Sequence, residues 1–140
     1  MKILYAIQGT GNGHLSRARD VIPALEKHGD LEIIVSGTQS EVNLPYPIEK
    51  KYKGLSFIYN KKGGLDYGKT ITHNLRLTAW NEIKEIPVEK YDLVINDFEP
   101  ISAWACKMKK VPSIGMGHQA SFWSEKTPRP PKRDFLGEFI

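Results

Sequence analysis

The chain opens with a short apolar run, Lys2–Gln8, that stops at glycines on alternate positions, Gly9, Gly11 and Gly13. It then passes directly into apolar residues at helical spacing. A run of this kind is what a strand buried on both faces of a parallel sheet requires. From His14 to His28 the residues Leu15, Ala18, Ile22 and Leu25 share one helical face, and Gly29 reads as the C-terminal stop. Pro23 lies inside this stretch and removes the hydrogen bond to Arg19, so a kink or irregular turn is expected near Asp20. Residues 31–36, with Ile33, Ile34 and Val35, read as the second strand. Strand, glycine turn, helix and strand make a βαβ unit, which commits the chain to a parallel sheet covered by helices.

The later sequence continues the alternation. Residues 37–68 are broken by Pro45, Pro47 and the Gly63-Gly64 pair, and the best strand among them is 55–59. Ile71, Leu75, Ala79, Ile83 and Ile86 line one face of a long helix between Lys69 and Ile86. Leu93-Val94-Ile95 is a parallel-type strand ending at Asn96-Asp97. Ile101, Trp104, Ala105 and Met108 mark the next helix, with Lys109 and Lys110 at the negative end of its dipole. Pro112 introduces a last strand, 113–116. The expected fold is α/β, a Rossmann-like open, mostly parallel sheet with helices on both faces. Residues 1–125 form that domain, and 126–140 a basic, Pro-rich connector or the start of further structure. Phe135, Leu136, Phe139 and Ile140 restart an apolar pattern, so the sequence is expected to belong to a longer protein.

A chain of 140 residues suits one domain, and 40% hydrophobic with 26% charged residues fits a globular rather than a disordered or membrane composition. No apolar run approaches the roughly 18 residues of a membrane span, and the N-terminus leads into a strand, not a signal-peptide core. The cytoplasm is the expected compartment. Cys106, the single cysteine, cannot form an internal disulfide and sits among core-type residues. Trp80 and Trp104 also sit beside core stripes and read as packing, which leaves Trp123 for a ligand. The net charge of +4 gathers late, at Lys107, Lys109, Lys110, Lys126, Arg129, Lys132 and Arg133. That face either is simply solvated or attracts phosphates or an anionic membrane surface, which would allow peripheral contact at the inner face. Basic and aromatic residues do not interleave, so nucleic acid is not an expected partner.

In open parallel sheets, ligands bind beyond the carboxyl ends of the strands. Three loops there carry distinctive residues: Gly9-Thr10-Gly11-Asn12-Gly13-His14, Asp97-Phe98-Glu99-Pro100 and Gly117-His118-Gln119. The glycines bring backbone N–H groups toward an oxyanion at a helix N-terminus. The loop is neither a dinucleotide fingerprint, because His14 stands where the third glycine belongs, nor a P-loop, because no Lys-Ser or Lys-Thr follows. No cofactor and no metal-ligand set is therefore read. His14 begins the helix, where the positive dipole end favours the neutral, proton-accepting imidazole of a general base. Asp97 would accept from the other ring nitrogen. The plainer alternatives are a histidine that faces solvent or only contacts ligand and an aspartate that caps a helix. Arg17 would reach an anion held by the loop or stay on the surface. Glu99 would bond sugar hydroxyls or cap the helix begun by Pro100. His118 and Gln119 read as further ligand contacts, His118 equally as a local hydrogen-bonding residue.

Gly9-Thr10-Gly11-Asn12-Gly13-His14-Leu15-Ser16-Arg17-Ala18 resembles the N-terminal signature of GT-B glycosyltransferases, most closely the family 28 type. Asp92-Leu93-Val94-Ile95-Asn96-Asp97-Phe98-Glu99-Pro100 is similar to the conserved-aspartate region of that superfamily. The resemblance implies an acceptor-binding N-terminal domain whose glycine loop contacts the acceptor or its phosphates. A separate C-terminal domain, outside this sequence, would bind a nucleotide-sugar donor, taken as a UDP-sugar. It further implies inverting transfer of a hexosyl group to a hydroxyl of a sugar or lipid-linked acceptor, with His14 as base and Asp97 supporting it. The 140 residues alone are then expected to be inactive. Two alternatives stand beside this: a sugar- or phosphate-binding module without turnover, and a sugar-nucleotide epimerase of the same architecture.

Overall fold

Lys2–Gln8 forms β1, and six of its seven residues are buried because both faces of the strand are covered. The computed structural model describes residues 1–37, 40–55, 58, 66, 68–70, 77–117, 124, 126 and 128. After β1 come α1 (Asn12–Leu25), β2 (Asp30–Ser36), β3 (Lys50–Tyr52), α2 (Leu77–Glu85), a 3-10 turn (Val88–Lys90), β4 (Leu93–Asp97), α3 (Pro100–Lys109) and β5 (Ser113–Met116). The strands pair in the order β3-β2-β1-β4-β5, and every pairing is parallel. The expected mostly parallel sheet is thus wholly parallel among the described strands. Its order reverses direction between β1 and β4, the crevice where open α/β sheets hold ligands.

Side-chain alternation along the strands builds two cores. Ile3, Tyr5 and Ile7 of β1 join Ile33, Val35 and Ile95 against Leu15, Ala18 and Ile22 of α1. Leu4 and Ala6 face the other way, with Ile34 and Val94, against Ala79 and Ile83 of α2 and Ile101, Ala105 and Cys106 of α3. Helices therefore cover both faces. Each Ile or Leu taken fully out of water here contributes about 1.5–3 kcal/mol. Cys106 is buried as a small core residue, and burial pushes its thiol up. No described helix is long and apolar enough to cross a membrane.

Several local expectations are revised. The third described strand is Lys50–Tyr52, paired with Ile34–Ser36; of the strand expected at 55–59, Leu55 and Ile58 lie outside any strand and 56, 57 and 59 lie outside the described residues. β3 is an edge strand whose exposed lysines are typical of edges, so an apolar-run reading passes over it. Gly29 is not the cap of α1, which ends at Leu25 with Glu26 in the right-handed region. Glycine is needed there because a Cβ would lie 2.1 Å from the Met1 carbonyl oxygen, which accepts from the Asp30 N–H. α1 runs through Pro23. Of the long helix expected between Lys69 and Ile86, the described residues are 69–70 and 77–86, and Leu77–Glu85 of these is α2. Trp80 and Trp104 are not packing residues, being 52% and 45% exposed. Their neighbours Ala79 and Ala105 take the buried positions instead. The connector expected from residue 126 onward, apart from 126 and 128, lies outside the described residues.

At the opposite end of the sheet from the glycine loop, Glu32 accepts hydrogen bonds from the Tyr91 hydroxyl (2.5 Å) and the Lys90 ammonium (2.9 Å), with Lys2 at 3.2 Å. The Tyr91 bond first, then Lys90, hold its carboxyl down at about 2 against an ordinary 4.5. Between those values the unfolded chain binds the proton that the folded chain refuses. The stability Glu32 contributes is therefore complete above about pH 4.5 and is lost as pH falls toward 2. Urea midpoints followed across that window should show a steeper acid loss in the native sequence than in Glu32→Gln. Parallel curves would mean the cluster is decorative.

Candidate functional site

The site lies where β1 and β4 diverge, and each strand delivers its residues by register. Tyr5 pairs with Ile95 and Ile7 with Asp97, so Tyr5 and Asp97 point to the same α1 face, one step apart along the sheet. The Tyr5 hydroxyl donates to Asp97 Oδ2 at 2.8 Å inside the core. Burial, and after it the adjacent carboxylate, push that hydroxyl well above its ordinary range, so it stays a donor. Asp97 itself is fully buried.

Gly9 to Gly13 carry the chain from β1 into α1. Gly9 is packed against the end of β2: its N–H donates to Ser36 O at 2.7 Å, and a Cβ on it would meet Val35 Cγ1 at 2.8 Å. Gly37 closes the contact from the other side, with φ at +117° and a Cβ position 2.8 Å from Gly9 C. A side chain at either position would push the two loops apart. Gly11 and Gly13 differ, since among the described residues nothing beyond their own chain neighbours and helix backbone lies within 4 Å of their Cβ positions. Packing within the chain does not demand glycine there; their lack of a side chain leaves the backbone open to an approaching ligand. Gly11 is the N-cap residue of α1 and supplies no side-chain cap, and the first turn holds no acid, so the positive end of the helix is uncompensated. Thr10 is half-buried within the same turn. Asn12 reaches sideways, its Oδ1 accepting from the Glu41 N–H at 3.1 Å and holding the 40–48 loop to α1.

His14, in the first turn of α1, crosses the crevice to β4. Its Nδ1 lies 2.7 Å from Asp97 Oδ1. Arg17, one turn further on, sends Nε to Asp97 Oδ2 at 3.3 Å and its Nη2 to Oδ1, a two-pronged grip on the carboxylate. The same Nη2 is 3.3 Å from His14 Nδ1. A guanidinium only donates, and the carboxylate is much the nearer of the two, so the Nδ1 proton belongs to the bond with Asp97. In the neutral ring the bare nitrogen is then Nε2, which has no protein partner among the described residues. The His14 side chain keeps 23% of its surface exposed, while Asp97 is fully covered. Arg17 is thus directed to Asp97, not to the glycine loop, and offsets the cost of burying the carboxylate.

Phe98 lies against the imidazole, ring centroids 5.7 Å apart and planes 6° from parallel. It takes this position from the left-handed region, φ 56°, a conformation that costs a bulky residue about 1–3 kcal/mol. The turn is held by Asn96, which donates to Glu99 O (2.5 Å) and Ser102 Oγ (2.6 Å) and accepts from the Glu99 N–H (3.1 Å). Glu99 is fully buried, and its two oxygens accept from Ile101 N (2.7 Å) and Ser102 N (2.6 Å). Of the two roles open to it, the structure shows the helix cap. Burial pushes its carboxyl up.

The structure brings His14, Asp97 and Arg17 together and sets Gly9, Thr10, Gly11, Asn12 and Gly13 around the adjoining helix end. His118, Gln119 and Trp123 lie outside the described residues. Sequence reasoning passed over Tyr5, Asn96 and Phe98. Tyr5 carried a usable signal, because a tyrosine inside an otherwise aliphatic buried strand needs a partner for its hydroxyl.

A family model described as glycosyl transferase family 1 matches residues 1–133. No curated protein gives a significant match.

Proposed function

The chain belongs to glycosyl transferase family 1, and from that premise we propose that it is the acceptor-binding half of a GT-B, nucleotide-sugar-dependent transferase with His14 as general base. The observation that carries this reading is the 2.7 Å bond from His14 Nδ1 to buried Asp97 at the β1/β4 switch point, which leaves Nε2 free to take a proton. In the reaction, Nε2 removes the proton of an acceptor hydroxyl while its oxygen attacks the anomeric carbon of the donor. The anomeric C–O bond breaks on the opposite side, the nucleotide diphosphate departs with the electron pair, and configuration inverts.

Asp97 acts mainly through orientation. Its charge is shared with Arg17, so its larger service is to fix the tautomer and aim the ring. Phe98 shields one ring face. The open helix end at Gly11 and Gly13 suits an oxyanion of the acceptor or of the departing diphosphate. Thr10 and Asn12 flank it, and His118 and Gln119 complete the acceptor contacts. The donor, a UDP-sugar, is held by a second domain outside this sequence. The finer likeness to the family 28 type rests on the glycine loop alone. A cytoplasmic location, with peripheral contact at the inner membrane face, follows if the acceptor is lipid-linked.

The test is the anomeric configuration of the product formed by the transferase with its donor domain present. NMR coupling at the new linkage should show inversion of the donor's configuration. Retention, or hydrolysis and epimerisation without transfer, would refute the reading.

A further inference from the structure

His14 takes two contacts from one short turn. Its Nδ1 meets Asp97 at 2.7 Å, and its ring face meets Phe98, with centroids 5.7 Å apart and planes 6° from parallel. Such spacing is that of an offset stack. A histidine side chain turns about two torsions, and the second is broad, not confined to staggered wells. The bond to Asp97 fixes one distance and leaves one coupled swing of the ring open. A flat ring parallel to the imidazole closes that swing, which an aliphatic side chain without a plane would not do. Edge contact and face contact together set the direction of Nε2.

The turn that supplies both contacts is clamped from the other side of the sheet. Asn96 pairs with Ala6 and shares its face, toward α3, whereas Asp97 points to the α1 face. The Asn96 amide bridges Asp97 and Phe98 to hold both backbone groups of Glu99, donating to its O at 2.5 Å and accepting from its N–H at 3.1 Å. It donates again to Ser102 Oγ at 2.6 Å. Glu99 and Ser102 are fully buried, and Glu99 caps α3 through Ile101 N and Ser102 N. Both ends of the turn are thereby fixed, and Phe98 between them is kept at φ 56°. Its side chain is 40% exposed, so burial in a core does not account for a left-handed backbone at a phenylalanine.

We propose that Phe98 is a positioning residue that holds the plane of the His14 imidazole and so aims Nε2 at the acceptor hydroxyl. The service to transfer rests on the base assignment above. The hold on the ring does not.

The experiment takes a spectroscopic and a kinetic reading of Phe98→Gly. Glycine adopts φ 56° without strain, so this variant loses the ring and keeps the turn. In the 140-residue chain with isotope-labelled histidine, the His14 signals are assigned by their absence from His14→Ala. In Phe98→Gly they should lose the upfield shift that a stacked ring imposes, and the order parameter of the imidazole should fall. In the transferase with its donor domain present, kcat should drop by about tenfold to 10²-fold, the scale of a small misplacement of a reacting group, with KM unchanged. Phe98→Tyr brings back a ring and should recover most of both readings; Phe98→Leu, apolar but without a plane, should recover neither. An imidazole as well ordered in Phe98→Gly as in the native chain would overturn the proposal, and a raised KM beside it would make Phe98 a contact of the acceptor. An imidazole set loose with kcat intact would sustain the hold on the ring and count against His14 as the base.

Discussion

Replacing His14 with alanine is expected to lower the rate of sugar transfer by about 10²- to 10⁴-fold, the usual contribution of a positioned general base. The loss should fall on kcat, because Nε2 meets the acceptor proton only as the bond to the anomeric carbon forms. The fold should survive. His14 keeps 23% of its side chain in solvent, and Asp97 retains Tyr5 at 2.8 Å and both prongs of Arg17 after the imidazole is gone. One hydrogen bond and a ring contact with Phe98 are lost, together worth about 1–2 kcal/mol. Thermal unfolding of the variant beside the native protein checks this. A variant that transfers normally would remove His14 from the chemistry, and one that fails to fold would make it a structural residue.

A large effect on stability is expected at Arg17, on the scale of truncating a core aliphatic side chain. Asp97 is fully buried, and Arg17 is the cation that makes its charge tolerable. Arg17→Met leaves the carboxylate with only the hydroxyl of Tyr5 and the imidazole of His14. Removing one partner of a buried pair costs about 3–5 kcal/mol, a large share of the stability of a domain this size. Arg17→Lys should recover only part of the loss, since an ammonium cannot hold both carboxylate oxygens as the guanidinium does. Urea unfolding measures both. If Arg17→Met unfolds within about 0.5 kcal/mol of the native chain, in the range of an ordinary surface substitution, the pair is not compensating a buried charge.

What could be read from sequence divides along physical lines. Apolar runs report burial, so the central strands β1, β2 and β4 and the helix α1 were legible, and with them the parallel sheet. Lys50–Tyr52 was not, because an edge strand pairs through its backbone while its side chains remain polar. Gly29 was misread for a similar reason: a glycine forced by close approach to the Met1 carbonyl looks, in sequence, the same as a helix stop. At the site, the loop glycines and His14 broke a known fingerprint and so drew notice, and Asp97 stood out at the end of an apolar strand. The roles of Arg17 and Glu99 depended on which neighbour each side chain reaches in three dimensions. Spacing along the chain leaves that open. Asn96 and Phe98 were hidden because what matters in them is a backbone conformation, φ 56° at Phe98, and the bonds that hold it.

The partnership of His14 and Asp97 can be tested apart from either residue's own importance by a double-mutant cycle on kcat for transfer, using His14→Ala, Asp97→Asn and the two together. Asp97→Asn should itself cost up to about 10⁴-fold, because an amide at that position allows the wrong tautomer. If Asp97 works through the imidazole, the double variant will be no slower than the slower single variant. A double variant whose loss equals the product of the two single losses would show that the residues act independently, and would contradict a base held in place by its buried carboxylate.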